Sequence, residues 1–250
     1  MGLPSGLSGG LYDRTYKHEA YVPSVMMPSV PEERLTAGGW MLAEETSETR
    51  FELPTMRVVA HTCLYEDAEL REAARDRLRT DRPWRFFFAT RLEFRPPLAP
   101  GIGPAMVRPT VSMEAKREFA ADLERRGFED VSRGRDQRMR TATGDRASLT
   151  KYDASYRLDP ANGANSTDEM NETNETSETN EGSGTGRDDR GHLPVTGWLA
   201  IWTHENAFRL AGGAYPERSF ADVLGVADDR LDSGREAYRE ELLTLIRAVR

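Results

Sequence analysis

The chain has 250 residues, of which 38% are hydrophobic and 8% aromatic, and it carries a net charge of −8. Cys63 is the only cysteine, which excludes an intrachain disulfide and a cysteine-based zinc site. No apolar run approaches the ~20 residues needed to cross a membrane, and the N-terminus lacks the regions of a secretory signal, so we expect a cytoplasmic protein with no membrane partner.

A strand pair is predicted near the start of the folded part. Two segments rich in β-forming residues, Gly39–Glu45 and Arg50–Glu66, flank a predicted turn at Thr46–Thr49. Pro54 interrupts the second segment, so its regular part is expected to begin near Met56.

A helix and a further strand are predicted next. The segment Asp67–Arg79 places Leu70, Ala73, Ala74 and Leu78 on one helical face, opposite charged residues. The following segment alternates as a strand with one buried side, whose apolar face holds Trp84, Phe86, Phe88, Leu92 and Phe94. Its other face holds Arg85, Arg91 and Glu93, which predicts that these three residues face solvent.

A second helix is predicted at Ser112–Gly127, after a proline-rich loop. Ser112 is a suitable N-cap, and Gly127 can adopt the left-handed conformation that ends a helix. Phe128 follows, where it can make the hydrophobic contact of such a cap. The predicted apolar stripe consists of Met113, Phe119, Ala120 and Leu123.

Three strands are predicted after this helix, at 128–134, 137–143 and 146–158, with a turn at Gly144-Asp145 before the last. The next 35 residues, Asp159–Leu193, contain nine acids against Arg187 and Arg190, so they hold −7 of the net charge and leave −1 for the rest of the chain. Low hydrophobicity and like charge predict a disordered acidic loop at about 160–191, inserted between paired strands.

The C-terminal part resumes with a strand that is apolar on both faces, at 193–205, which is typical of a central strand. His204-Glu205-Asn206 is predicted to turn the chain into a strand at 207–215, followed by a short helix at Phe220–Leu224 that ends at Gly225. The final helix begins with a capping box at Ser233–Glu236, and its stripe consists of Tyr238, Leu242, Leu245 and Val249.

The basic residues are almost all arginines, since the only lysines are Lys17, Lys116 and Lys151. Arginine dominance together with an acidic insert is typical of proteins from salt-loving archaea, whose hydrated surfaces stay soluble at molar salt. A GC-rich genome, which favours arginine codons without any salt, is the alternative explanation. Because the folded part is nearly neutral, no broad basic face for nucleic acid is expected.

The order of elements predicts an α+β fold with a mainly antiparallel sheet and helices packed on it. Trp40 followed by "RFELP", then "GFEDVSRG" after a helix, and "FRLAGGAYP" before the last helix resemble the PsbP-like family of α/β/α sandwiches, which includes PsbP- and LpqN-type proteins. The chain also resembles an uncharacterised haloarchaeal family. The glycine-rich start predicts a flexible segment at 1–36. The PsbP-like resemblance covers about residues 37–250, which are expected to form a single domain, and it implies a role in binding or assembly.

Candidate chemistry is sparse. His61 and Cys63 are two residues apart, so on a strand they share one face, where a Cys/His nucleophile pair is conceivable and ordinary packing is the alternative. The four histidines are scattered, and neither a metal site nor a cofactor site is predicted. Trp198 and Trp202 also share a face, either as core residues or as an aromatic ligand platform.

Two functions follow from these observations. The first is a non-catalytic binding or assembly module, with another protein as a possible partner. The second is a small hydrolase-like enzyme whose site is assembled near His61, Cys63 and His204. No residue is assigned a catalytic, cofactor-binding or metal-binding role by a recognised motif.

Overall fold

The computed structural model describes residues 27–53, 56–78, 81–158, 192–224 and 234–250. Seven strands and five helices lie within this described part. The strands are β1 Trp40–Leu53, β2 Met56–Asp67, β3 Phe86–Arg95, β4 Glu129–Arg140, β5 Arg146–Arg157, β6 His192–His204 and β7 Ala207–Pro216. The helices are α1 Glu32–Ala37, α2 Ala68–Leu78, α3 Pro104–Arg125, α4 Phe220–Leu224 and α5 Arg235–Ala248.

All seven strands form one antiparallel sheet in the order β1-β2-β3-β7-β6-β5-β4. The two C-terminal strands therefore insert into the middle, between β3 and β5. Their apolar residues are buried on both faces, as a central position requires. The α+β fold with an antiparallel sheet is confirmed.

Helices cover both faces of the sheet. One face, which we call the α3 face, packs Phe119 and Leu123 of α3 against Val195, Leu199 and Ile201 of β6. The other, the α5 face, packs Leu242, Leu245 and Ile246 of α5 against the remaining face of the central strands, with α1 and α2 beside it; the strand residues in this core include Phe87, Ala89, Trp198, Ala200, Trp202 and Ala211.

Strand β3 is buried on both faces, whereas the alternation predicted one buried side. Phe87 and Ala89 are fully buried on the α5 face, opposite Phe86 on the α3 face. The prediction that Arg85 faces solvent is also wrong. Arg85 is only 4% exposed, because it forms ion pairs with Asp67 at 2.9 Å and Glu241 at 2.5 Å.

The predicted turn at Thr46–Thr49 is wrong, because β1 continues through it and pairs with β2 as far as Leu53. The start of β2 at Met56 is confirmed. The four residues are polar and lie in an edge strand, where only one side needs a partner strand. A polar run in an edge strand has the same composition as a turn, so the sequence alone does not distinguish the two.

Helix α3 begins eight residues before the predicted start, at Pro104, with Gly103 as its N-cap. Proline is well suited to the first helical position, where its missing N–H has no partner to lose. Met113 is 62% exposed, so its place in the predicted stripe is wrong, whereas Phe119 and Leu123 are buried. The predicted end is confirmed by Gly127, whose φ is +86°.

Strand β4 is one strand where two were predicted, with pairing irregularities between Glu129 and Ser132 and between Arg133 and Asp136. The pairing of Arg157 with His192 confirms that the acidic segment joins neighbouring strands. That segment, the end of α4 at Gly225 and Ser233 of the predicted capping box lie outside the described residues. The N-cap of α5 is Gly234, and the predicted stripe of this helix is buried.

The first described residues pack with the rest of the fold. Ser29 and Arg250 exchange two backbone hydrogen bonds, of 3.1 and 2.9 Å, and Leu35 of α1 is 2% exposed. Residues 29–36 therefore contribute to the domain that was expected to start at residue 37.

Candidate functional site

A groove lies on the α3 face, between helix α3 and the strands β1, β2 and β3. Helix α3 packs over the centre of the sheet and leaves the sheet beyond it uncovered on this face. The cavity has a volume of about 450 Å³. This volume falls in the range of small-molecule sites, roughly 300–1,000 Å³. We call it the α3 groove.

The floor of the α3 groove is largely apolar. Its apolar residues come from β2, β3, β6 and β7, and they include Ala60, Leu64, Phe88, Leu92, Leu199 and Leu210. Thr62 and Thr90 are cross-strand partners here, and their hydroxyl groups share a hydrogen bond of 2.8 Å. One hydroxyl proton of the pair is used in that bond, so the pair retains a donor and acceptor lone pairs for a ligand.

The walls of the α3 groove carry charges of both signs. Glu44, Glu48 and Arg50 of β1 face acids and arginines of α3, namely Glu114, Arg117, Glu118, Asp122, Arg125 and Arg126. Most of these charges are paired within a wall, and Arg50 reaches across from β1 to Glu118 of α3 at 3.7 Å. The five acids and four arginines nearly cancel, so the walls do not favour a strongly charged ligand.

The three residues of the predicted enzyme site do not come together. His61 and Cys63 lie on β2 on the α5 face, whereas His204 lies at the end of β6. Strands β3 and β7 separate β2 from β6, which places the two strands roughly 14 Å apart at ordinary strand spacing. His204 instead contacts Asp145 through Nδ1 at 2.8 Å.

Cys63 is a poor nucleophile in this setting. Burial, with a smaller effect from Glu45, raises the pKa of its thiol from 9.0 to about 11. The residue is 5% exposed. Because the thiolate is the reactive form, these properties favour packing over catalysis.

His61 has partners that the sequence did not reveal. Its Nδ1 lies 2.7 Å from Oγ of Ser47 on β1, and its Nε2 lies 3.0 Å from Oε2 of Glu93 on β3. His61 is 2% exposed, while Ser47 is exposed at the sheet edge. The ion-paired Arg95, followed by His61, lowers the pKa of Glu93 and keeps it ionised. A hydroxyl, an imidazole and a carboxylate are thus in one hydrogen-bonded chain.

The two tryptophans that could have formed a ligand platform lie in the core. Trp198 is 3% exposed and Trp202 is fully buried, both on the α5 face. Of the other histidines, His192 pairs with Arg157 at the start of β6, and His18 lies outside the described residues. Within the described ranges no group of three or more His, Cys, Asp or Glu residues could hold a metal ion.

The groove residues were missed because no local pattern marks them. Thr62 and Thr90 look like ordinary strand residues, and only the pairing of β2 with β3 brings them together. The one available signal was the run of polar residues on the α3 face of β1, at Glu44, Thr46 and Glu48, which offers no hydrophobic surface for a helix to cover. No helix among the described residues is long and apolar enough to cross a membrane.

Comparison with known proteins gives one match. A family model described as "Domain of unknown function (DUF6517)" matches residues 27–250. No curated protein and no solved structure matches the chain. The PsbP-like and haloarchaeal resemblances therefore stay predictions.

Proposed function

The chain belongs to the DUF6517 family, whose description states no activity, and we propose from its own geometry that it is a non-catalytic binding module. The observation that carries this proposal is the α3 groove, a cavity of about 450 Å³ with an apolar floor. Burial of apolar surface there drives binding, at about 25 cal/mol for each Å² removed from water.

The ligand class follows from the lining. An apolar floor favours a largely apolar molecule, and the wall charges, which nearly cancel, leave little excess charge for an ionic head group. The Thr62–Thr90 hydroxyl pair offers one hydrogen-bonding position on that floor. We therefore propose a small, uncharged, mostly apolar ligand with a single hydrogen-bonding group.

The test uses two tryptophan substitutions on neighbouring residues of β1. Thr46 lines the groove, whereas Glu45 is exposed on the opposite face of the same strand. Titration of the purified protein with the neutral fluorophore Nile red should show saturable binding. Thr46→Trp fills the groove and should weaken that binding tenfold or more, while Glu45→Trp should leave it unchanged.

The proposal fails if the parent protein does not bind the fluorophore, or if Glu45→Trp weakens binding as much as Thr46→Trp does. A second pair of variants tests the hydroxyl groups. Thr62→Val with Thr90→Val keeps the shape of the floor and removes both hydroxyls. We expect these changes to weaken a ligand with a hydrogen-bonding group more than a purely apolar one.

A second candidate function rests on the Ser47–His61–Glu93 chain. This arrangement has the parts of an acyl-transfer site, in which Ser47 Oγ attacks an ester carbon and His61 Nδ1 takes its proton. His61 then gives that proton to the leaving alcohol, and water releases the acyl group by the same steps in reverse. The chain lies on the face opposite the α3 groove, so the two candidates are independent.

A fluorophosphonate probe, which forms a covalent bond with activated serines, separates this candidate from a structural hydrogen bond. Labelling of the parent protein that disappears in Ser47→Ala and persists in Ser132→Ala would support hydrolase activity. An unlabelled parent protein would leave the Ser47–His61–Glu93 chain as a cross-strand polar contact that stabilises the sheet.

A further inference from the structure

A row of polar side chains crosses the otherwise apolar α5 face. The pairing register places His61 of β2 opposite Arg91 of β3, Arg91 opposite Arg209 of β7, and Arg209 opposite Trp202 of β6. We call these four residues the Arg209 row. The next row on the same face consists of the small side chains Cys63, Ala89, Ala211 and Ala200.

Arg209 is buried in this row without a counter-ion in the described part of the chain. It is 5% exposed, and its Nε is buried without a hydrogen-bond acceptor. Its one described hydrogen bond is a long contact of 3.5 Å from Nη1 to the carbonyl oxygen of Phe208. Burial first, and then the like charge of Arg91, lowers the pKa of Arg209 to about 10, with a smaller opposing effect from Glu205, which forms no described ion pair with it.

Trp202, the register partner of Arg209 on β6, also has a buried donor without a described acceptor. Its side chain is fully buried, and its indole Nε1 has no acceptor. The carboxylate of Glu93, on β3 beside the row, is already engaged by His61 at 3.0 Å and by Arg95 at 2.8 Å. Two neighbouring strands thus present buried donors, on Arg209 and Trp202, that no described acceptor satisfies.

Arg85 shows how the same fold neutralises a buried arginine. It is as buried as Arg209, yet it contacts two carboxylates, Asp67 at 2.9 Å and Glu241 at 2.5 Å. A buried charge without a partner is strongly unfavourable. Arg85 has its counter-ions within the fold, whereas an anion beside Arg209 would have to be supplied by another group. The strand neighbours of Arg209 on this face, Ala207 and Ala211, are small, so no large side chain of β7 flanks the guanidinium.

We propose that Arg209, together with the indole N–H of Trp202, forms a buried binding site for the carboxylate group of a small molecule, with Arg91 adding positive charge. A carboxylate matches the planar guanidinium fork and can accept the indole proton as well. A single negative charge would balance the guanidinium of Arg209. This site lies on the face opposite the α3 groove and does not depend on the ligand proposed there.

The test measures the melting temperature of the full chain in sodium acetate against sodium chloride at equal ionic strength. A ligand at ten times its Kd should raise the melting temperature of a chain this size by about 3–6 °C, and the rise should saturate. Arg209→Met removes the buried charge at similar length and should abolish the rise. The control Arg157→Met removes an arginine that is 62% exposed and lies outside the α3 groove, and it should keep the rise.

A second arm separates a free carboxylate from one supplied by the chain itself. Asp13 and Glu19 are the two acids that precede the described residues, and Asp13→Asn with Glu19→Gln removes both. Stabilisation of the parent protein by acetate supports a small-molecule ligand. Stabilisation of this double variant alone assigns the carboxylate to the N-terminal segment and overturns the small-molecule ligand. Equal responses in acetate and chloride for both proteins, or an acetate response that survives Arg209→Met, would overturn the site.

Discussion

Arg85 is the residue that connects the most elements of the α5 face. Its guanidinium lies between the rings of Trp40 at 4.5 Å and Tyr238 at 4.3 Å, and it pairs with Asp67 and Glu241. Asp67 also accepts the backbone N–H of Leu70 at the start of α2. The arginine therefore holds β1, α2 and α5 together through one charged group.

We expect Arg85→Met to destabilise the protein by about 3 kcal/mol or more, because it leaves two carboxylates without their cation. Unfolding in urea, followed by tryptophan fluorescence, measures the change. The control is Arg117→Met, whose ion pair with Glu114 is exposed and contributes less than about 1 kcal/mol. Equal losses for the two variants would show that Arg85 has no special role.

Cys63 gives a second prediction, on reactivity. With a thiol pKa of about 11, in place of 9.0, the thiolate fraction at pH 8 falls about a hundredfold. The folded protein should therefore react with a thiol reagent at least a hundredfold more slowly than the same protein in urea. Because the pKa is raised, the native rate should keep increasing with pH to about 11, while the unfolded rate levels off near 9.

A native rate that levels off near pH 9, or that matches the unfolded rate at pH 8, would contradict this prediction. Either result would mean that the thiol is accessible and ordinary, and it would reopen a role for Cys63 beside His61.

Among the helices and strands, the sequence predicted those whose apolar pattern is contained within the element itself. Strands β6 and β7 and helix α5 were predicted correctly. The strands are long continuous apolar runs, and the apolar residues of the helix recur with helical spacing. The edge strand β1 was divided by a false turn, because its polar residues need no buried pattern. Arg85 was placed on the exposed face because a single charged letter does not show that two carboxylates from distant elements surround it.

The α3 groove could not have been predicted from the sequence. Its walls come from β1 and α3, and its floor from strands that meet only in the assembled sheet. How far α3 extends over that sheet depends on where the helix begins, and the sequence placed this start eight residues late. The hydrogen-bonded Ser47–His61–Glu93 chain could not be predicted for the same reason, since β1, β2 and β3 contribute one residue each.

We expect the connection between β5 and β6 to tolerate shortening. Arg157 and His192 are register partners, so the residues between them leave and re-enter the sheet at neighbouring points. Replacing Ala161–Asp189 with a short Gly/Asn turn should preserve the free energy of unfolding, measured in urea, within about 1 kcal/mol, because closure entropy changes slowly with length. Solubility should fall, since eight acids and only Arg187 are removed.

A shortened chain that fails to fold at every salt concentration would contradict this prediction. It would mean that residues 161–189 contribute contacts on which the sheet depends.

The whole molecule depends on the order of its strands. Residues 27–158 supply β1, β2 and β3 on one side and β4 and β5 on the other, while residues 192–250 supply the two strands between them and α5. Neither part contains a complete core, since Trp198, Trp202, Leu242 and Ile246 all come from the second part. The fold therefore requires both.

We expect two fragments, residues 1–158 and 192–250, to assemble when they are co-expressed. Pull-down through a tag on either fragment should recover both in equal amounts, with the circular dichroism of the intact protein. Expressed alone, each fragment should lack cooperative unfolding, because its strands at the missing centre have no partner. A larger fragment that folds alone would contradict the single-domain prediction.

The central position of β6 and β7 also constrains how the protein is made. Ribosomes add about 5–20 residues each second, so about 3–12 s pass between the synthesis of Arg157 at the end of β5 and of Pro216 at the end of β7. During that interval the nascent chain carries two incomplete sheets, whose inner edges at β3 and β5 have no neighbour. The exposed edge at β3 is largely apolar, which makes the unfinished chain a natural client for a chaperone that binds extended hydrophobic segments.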